Sequence, residues 1–201
     1  MSAKTTITSL VVAAGLAAHP AAAIEPNVTP DERVESRLDA DLNGDGNADL
    51  AYIVAADDWR ELRVVLAGRN GTEALDLSTD ALGPASLAMV GDVLRFEDLT
   101  GGTTAYSSTR RFRYDSVRNR MRLIGMDVTL YSRTFAHDGY EGSWNLLTGE
   151  GKGNELRLDE SAGGDRAYDK ARQHSFTRRT RPVWLVDAPD PEDLLEELRE
   201  G

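Results

Sequence analysis

The sequence lacks cysteine altogether, and this absence excludes several kinds of site and anchor. Without thiols there is no disulfide framework, no thiolate metal centre and no lipidated N-terminal cysteine. The sequence also lacks H-E-x-x-H, G-x-S-x-G and phosphate-loop motifs, so those signatures of catalysis and nucleotide binding are missing. The chain must therefore fold on its apolar core, and a function as an enzyme is uncertain and less expected than one as a binding or structural module.

Long apolar runs are also missing, except at the N-terminus, which predicts a secretory signal peptide over residues 1–23. Lys4 precedes an uncharged, Ala-rich run from Thr5 to Ala18, and the small-residue triplet Ala21–Ala23 follows. This order is typical of a signal that is cleaved, here after Ala23, and the run is too short to span a membrane. We therefore expect residues 24–201 to form one periplasmic or secreted domain with no membrane span.

Positive charge is scarce. The chain has 23 Lys and Arg against 34 Asp and Glu, so loss of Lys4 with the signal leaves 22 against 34, a net charge of −12. Nucleic acids and anionic membranes bind clustered cations, so neither is an expected partner. A cation is the better expectation.

Short β-branched and apolar runs separated by turn signals predict a mainly β fold, a β-rich α+β class with one antiparallel-sheet domain. Leu50–Ala55 and Glu61–Ala67, joined by a short polar link, predict a hairpin. Further strands are predicted at Ala85–Val90, Val93–Phe96, Thr104–Tyr114, Met121–Tyr131, Trp144–Leu147 and Phe176–Val186.

Helix signals are confined to the two ends of the mature chain. Thr29 followed by Pro30 predicts the start of a short helix. Asp190 followed by Pro191 predicts a C-terminal helix over about residues 190–200. The segment Gly149–Asp169, rich in glycine and charge, predicts a long loop.

The stretch DLNGDGNAD, residues 41–49, carries the most specific chemical signal. Calcium takes six to eight oxygen ligands, which a short loop supplies from alternate residues. The ligand positions 1, 3, 5, 7 and 9 are occupied by Asp41, Asn43, Asp45, Asn47 and Asp49, with Asn47 offering its backbone carbonyl. A glycine stands at position 6, where the chain must turn sharply.

Two other interpretations of this stretch are a hairpin turn and an EF-hand loop. Asn43-Gly44 and Asp45-Gly46 are typical hairpin-turn pairs, but a turn needs only one such pair. Carboxylates held about 5 Å apart without a cation would repel by roughly 3 kcal/mol per pair at an effective dielectric near 20. An EF-hand is excluded because Tyr52 replaces the Glu of position 12 and a strand-like run follows the loop. A calcium site is therefore the preferred interpretation.

This loop followed by an apolar strand resembles the calcium loops of FG-GAP blades in integrin α-subunit propellers. The resemblance implies that the side chains of Asp41, Asn43, Asp45 and Asp49 and the carbonyl of Asn47 bind Ca²⁺. The motif occurs once, whereas a propeller needs several blades, so the resemblance extends to the loop and not to the architecture.

A second resemblance, over about residues 38–152, is to a family of secreted and lipid-anchored bacterial proteins that open with an LNGDG-type loop and have no established activity. It rests on the loop and on three later parts of the sequence: Gly101–Thr104, Arg111–Tyr114 with Arg122–Met126, and Asn145–Gly149. The resemblance implies one domain and no catalytic residues.

Two further groups of residues have a possible function. One is a set of six cations on a predicted hairpin: Arg110, Arg111, Arg113, Arg118, Arg120 and Arg122. These form either a solvated strand face or a site for an acidic protein or polymer, which could be the acidic tail of the chain itself at Asp187–Glu200. The other is His137-Asp138, which could orient an imidazole as a general base but lacks a recognisable nucleophile in the sequence, so a solvated turn is preferred.

We therefore expect a secreted or periplasmic β-rich domain with one structural calcium at residues 41–49, acting as a binding or structural module. Two alternatives stay open. One is a calcium-dependent enzyme acting on an envelope polymer through scattered acidic residues. The other is a periplasmic protein inhibitor that binds through the arginine hairpin.

Overall fold

A computed structural model describes residues 23–159 and 168–200. The predicted signal peptide therefore lies outside the described residues, apart from Ala23. No helix of the described part is long and apolar enough to cross a membrane.

The first of two antiparallel sheets has four strands in sequence order, joined by hairpin connections. They are β1 (Arg33–Ala40), β2 (Asp49–Ala55), β3 (Arg60–Val65) and β4 (Glu73–Asp76). The predicted hairpin is confirmed, with Ile53 opposite Leu62 in its register.

The second sheet has eight strands, seven of which again follow sequence order as neighbours. These seven are β5 (Ser86–Val90), β6 (Val93–Gly101), β7 (Thr104–Asp115), β8 (Arg120–Ser132), β9 (Gly139–Asn145), β10 (Glu150–Leu158) and β11 (Tyr168–Thr177). The short β12 (Val183–Trp184) returns to pair with β8. A 3₁₀ turn (Leu185–Asp187) and helix α1 (Pro191–Glu200) end the described chain. The predicted mainly β class with a short C-terminal helix is confirmed, and its strands form two sheets.

The main core lies between the two sheets and beneath the C-terminal segment. Ile53 and Leu62 of the first sheet meet Phe96 and Phe112 of the second in one buried cluster, which Leu195 of α1 joins. Apolar burial of this kind contributes roughly 25 cal/mol per Å². The C-terminal segment is therefore part of the core and not an appendage.

Helix α1 begins where the sequence predicts. The carboxylate of Asp190 accepts a hydrogen bond of 2.9 Å from the backbone N–H of Glu192, so it caps the first turn. Leu194 and Leu195 are both buried, at 3% and 2% exposure. Tertiary packing of one apolar face thus stabilises a helix too short to persist alone.

Strand β2 is buried along its whole length because both of its faces are covered. Ala51 and Ile53 face the main core. Leu50, Tyr52 and Val54 form a second cluster on the opposite face. This position anchors the strand that follows the acidic loop.

The predicted helix start at Thr29 is wrong. Its backbone N–H donates to the carboxylate of Glu32 at 2.6 Å, and its carbonyl accepts from the N–H of Glu32 at 3.1 Å. These two bonds close a turn, and β1 begins at the next residue, Arg33, because pairing with β2 supplies more backbone hydrogen bonds than one helical turn would.

The predicted loop at Gly149–Asp169 is also wrong over its first half, which forms β10, and at its last two residues, which belong to β11; residues 160–167 lie outside the described part of the chain. Aromatic rings of β11 lie over its glycines: a Cβ built on Gly151 would stand 1.8 Å from the Phe176 ring, and one on Gly153 would stand 2.4 Å from the His174 ring. Glycine therefore makes room for a cross-strand ring here.

Other strand boundaries differ less. The strand predicted at Trp144–Leu147 runs from Gly139 to Asn145, and the one predicted at Phe176–Val186 is divided between β11 and β12. Strands β1 and β4 were not indicated by the sequence.

Candidate metal centre

The acidic loop connects β1 to β2 at the end of the first sheet, where Ala40 pairs with Asp49. Gly44 and Gly46 have φ angles of 80° and 85°, in the left-handed region that favours glycine. These two positions let the chain turn back on itself twice within the loop.

The chain curls around the carboxylate of Asp41. Its Oδ1 accepts hydrogen bonds from the N–H groups of Gly44 at 2.7 Å and Asp45 at 3.1 Å. Its Oδ2 accepts from Gly46 N–H at 2.9 Å. The first predicted ligand is therefore turned toward the loop backbone: both lone pairs of its Oδ1 accept hydrogen bonds, and only its Oδ2 keeps a further lone pair.

The next three predicted ligands, Asn43, Asp45 and Asn47, are linked by hydrogen bonds. Asn43 Oδ1 accepts from Asp45 N–H at 2.9 Å, and Asn43 Nδ2 donates to Asp45 Oδ2 at 3.1 Å. Asp45 Oδ1 accepts from both the backbone and the side-chain N–H of Asn47, at 2.8 and 3.0 Å. The bonds from Asn47 and Asn43 lower the pKa of Asp45, so this exposed carboxyl is anionic near neutral pH.

Asp49 differs from the other predicted ligands because it is buried, with only 1% of its surface exposed. Its Oδ2 accepts from Leu42 N–H at 2.8 Å, and its Oδ1 accepts from Ala67 N–H at 2.7 Å. It therefore ties the start of the loop to the chain leaving β3. Burial raises the pKa of Asp49, the two N–H groups oppose that change, and repulsion from Asp45 and Asp41 adds to it.

Arg69 is a neighbour of the loop that the sequence did not indicate. Its charge helps to lower the pKa of Asp45. The guanidinium also donates to the carbonyl of Asn119 at 3.0 Å and lies 5.5 Å from the ring centroid of Tyr114. It thus links the acidic loop to the tip of the β7–β8 hairpin. No local sequence pattern marks such a contact.

The loop brings four of the predicted ligands together on its exposed part, with Asp49 beneath them. Over residues 23–159 and 168–200, no three or more His, Asp or Glu side chains are already grouped as a metal site. The predicted ligands all offer oxygen, which is the ligand atom that a hard cation prefers. In this structure, however, their side-chain oxygens accept hydrogen bonds from N–H groups.

The arginines of the β7–β8 hairpin are divided between the two faces of the sheet. Arg110 is buried, with its guanidinium 5.7 Å from the ring centroid of Phe96. Burial lowers the pKa of Arg110, and attraction from Asp190 of the C-terminal segment opposes that change. A carboxylate of the C-terminal segment thus interacts favourably with one arginine of the hairpin.

Three other arginines of the hairpin also have partners in the chain. Arg111 forms an ion pair with Asp127, and Arg113 lies 3.0 Å from a carboxylate oxygen of Asp92. Arg120 stacks 5.2 Å from a ring centroid of Trp184. These contacts reduce the positive charge available to an external acidic partner.

Comparisons of the chain with protein-family models, with curated proteins and with solved structures return no match.

Proposed function

We propose that this chain is a secreted or periplasmic β-rich binding or structural module that takes one structural Ca²⁺ at residues 41–49. The observation that carries the proposal is the environment of Asp49. Its buried charge is met by two backbone N–H groups, and its charged neighbours Asp41 and Asp45 repel it. A divalent cation among these three carboxylates would turn repulsion into attraction.

The residues that would hold the ion are the five that the loop spacing indicates. Asp41, Asn43 and Asp45 offer side-chain oxygens, Asn47 offers its carbonyl, and Asp49 offers a carboxylate. The glycine turns allow the loop to close around a cation. When bound, calcium would supply the positive charge that the loop lacks, and its effect would be on stability because the loop is continuous with the buried strand β2.

Of the two alternatives, the inhibitor is the less well supported, because Arg111 and Arg113 already pair with acidic residues of their own sheet. The other alternative, a calcium-dependent enzyme, would use the same calcium loop, and it stays a prediction.

The test is the melting temperature of the protein with Ca²⁺, with Mg²⁺ and with excess chelator. Calcium at 100 times its dissociation constant would stabilise the folded state by about 2.7 kcal/mol. For a domain of this size that corresponds to a rise of about 5–10 °C. Mg²⁺ should have a smaller effect because it demands a tighter octahedral site.

Two variants make the test specific to the loop. Asp45→Ala should abolish the calcium-dependent rise, since it removes an exposed ligand. Asp58→Ala is the matched control, because Asp58 is an exposed aspartate in the β2–β3 turn. Equal melting temperatures in calcium and in chelator would refute the proposal.

A further inference from the structure

A hydroxyl and an imidazole meet at one end of the second sheet, where the β6–β7 turn approaches the β8–β9 loop. Thr104 opens β7, and His137 lies two residues before the start of β9. The Oγ1 of Thr104 lies 2.8 Å from Nε2 of His137. Both residues are half-buried. The sequence separates the two by 33 positions, so no local motif indicated this pair.

The other ring nitrogen fixes the direction of the hydrogen bond. Nδ1 of His137 lies 2.6 Å from the backbone carbonyl oxygen of Asp138. A carbonyl only accepts, so in the neutral ring Nδ1 carries the proton and Nε2 carries the lone pair. The Thr104 hydroxyl therefore donates to Nε2. This is the arrangement in which an imidazole takes a proton from a nucleophile as the nucleophile attacks.

The backbone on either side of the imidazole is held by tertiary hydrogen bonds. The hydroxyl of Tyr168 donates to the carbonyl of His137 at 3.0 Å and accepts from the N–H of Ser132 at 2.9 Å. The carboxylate of Asp138 accepts from the N–H of Leu158 at 2.8 Å. The carbonyl of Asp138, and not its carboxylate, therefore orients the ring, while the carboxylate fixes the loop to β10.

The segments that carry the pair are constrained. Phe135, in the loop before His137, has a φ of 55°, which is unusual for a bulky residue, and its side chain is 57% exposed. Gly101 has a φ of 99°, and a Cβ there would lie 2.5 Å from the carbonyl oxygen of Thr104. The guanidinium of Arg133 reaches the carbonyl of Gly102 at 3.4 Å, which brings a cation to the same turn.

We propose that Thr104 and His137 form a nucleophile and general-base pair that hydrolyses carboxylic esters. The Thr104 oxygen bonds to the ester carbonyl carbon while its proton moves to Nε2 of His137. Collapse of the adduct breaks the bond to the alkoxy group, which leaves with that proton as an alcohol. Water then attacks the acyl-threonine, His137 accepts and returns the proton, and the acid is released. The guanidinium of Arg133, held at the neighbouring turn, would supply positive charge for the oxyanion, and the exposed ring of Phe135 would offer apolar surface to the acyl chain.

The experiment measures hydrolysis of p-nitrophenyl acetate and p-nitrophenyl butyrate by the purified protein. Thr104→Val and His137→Gln should each lower the rate at least tenfold, because general-base catalysis contributes about 10²–10⁴-fold. The matched controls are Thr103→Val, a neighbouring threonine, and His174→Gln, an imidazole elsewhere in the sheet. Both controls should keep the wild-type rate.

A second readout does not depend on any variant folding. A fluorophosphonate probe should add one phosphonyl group to the wild-type protein, and peptide mass spectrometry should locate it on Thr104. Absence of that adduct would overturn the proposal, as would a wild-type rate in Thr104→Val. A loss confined to His137→Gln would also overturn it, since it would make the imidazole the nucleophile.

Discussion

Replacement of Arg60 by methionine is expected to cost about 3–5 kcal/mol of folding free energy. The Arg60 side chain is 3% exposed and joins the two sheets, pairing at 2.7 Å both with Glu35 of β1 and with Asp98 of β6. Those carboxylates are themselves only 9% and 6% exposed. Removing the cation leaves two buried charges without a counterion, and breaking one buried ion pair by removing a partner typically costs this much. The loss is large against a total stability of about 5–15 kcal/mol.

The assay is urea unfolding followed by tryptophan fluorescence, with stability taken from the midpoint and slope. Arg37→Met is the matched control, because Arg37 also pairs with two carboxylates, Asp39 and Glu25, but in an exposed position. It should lose at most about 1 kcal/mol. Adding Glu35→Gln and Asp98→Asn to Arg60→Met should restore part of the stability. Equal losses for Arg60→Met and Arg37→Met would refute the reasoning.

Three further predictions concern packing and pH. Gly139→Ala should destabilise by about 1–3 kcal/mol, because its Cβ would lie 2.5 Å from the Leu130 carbonyl oxygen, whereas Gly102→Ala, with no atom nearby, should be close to neutral in the same urea assay. Leu195→Ala should cost about 2–5 kcal/mol and expose the core to a hydrophobic dye, since this helix residue is 2% exposed. Burial raises the pKa of Glu35, but hydrogen bonds from Arg60 and the Ala85 N–H outweigh it and the pKa is lowered. The stability from this group is therefore present above its unfolded pKa of about 4.3 and is lost as the pH falls through its folded pKa. Glu35→Gln should flatten that part of the pH profile of the urea midpoint.

The strands that the sequence indicated correctly are those whose signal is local. Leu50–Ala55 and Glu61–Ala67 are neighbouring apolar runs with a short link, so their pairing closes a small loop and follows from their own residues. Strand β1 gave no such signal because it is mostly polar and a bulge between Val34 and Ser36 interrupts its alternation. The carboxylate of Glu35 in this strand pairs with Arg60, which lies 25 positions further along the chain.

Glycine in β10 misled the prediction for a related reason. Gly151 and Gly153 read as a loop when taken with their sequence neighbours alone. Their place in a strand depends on Phe176 and His174, whose rings cover them from β11. A contact across strands, more than 20 residues away in the chain, thus decided the local structure against propensity.

The same limit applies to both candidate sites. Residue spacing was sufficient to indicate the acidic loop, because its possible ligands lie within nine positions. It could not indicate Arg69, which reaches the loop from the connection between β3 and β4, or the contact between Thr104 and His137. Both depend on how the strands pair and not on any pattern within one segment.

Asp49 separates two roles that the loop motif treats as one. The motif assigns all five residues as ligands, yet four belong to the exposed loop, whereas Asp49 is buried and accepts hydrogen bonds from the N–H groups of Leu42 and Ala67. Removal of an exposed ligand such as Asp45 would leave the hydrogen bonds of Asp49 in place. It should therefore affect the calcium response more than the stability without calcium. Asp49→Asn, in contrast, would turn an amide N–H₂ toward one of those N–H groups and leave that group unpaired, which costs about 1–3 kcal/mol even in chelator. The residue that would bind the ion most deeply is thus also the one through which its binding would stabilise the first sheet.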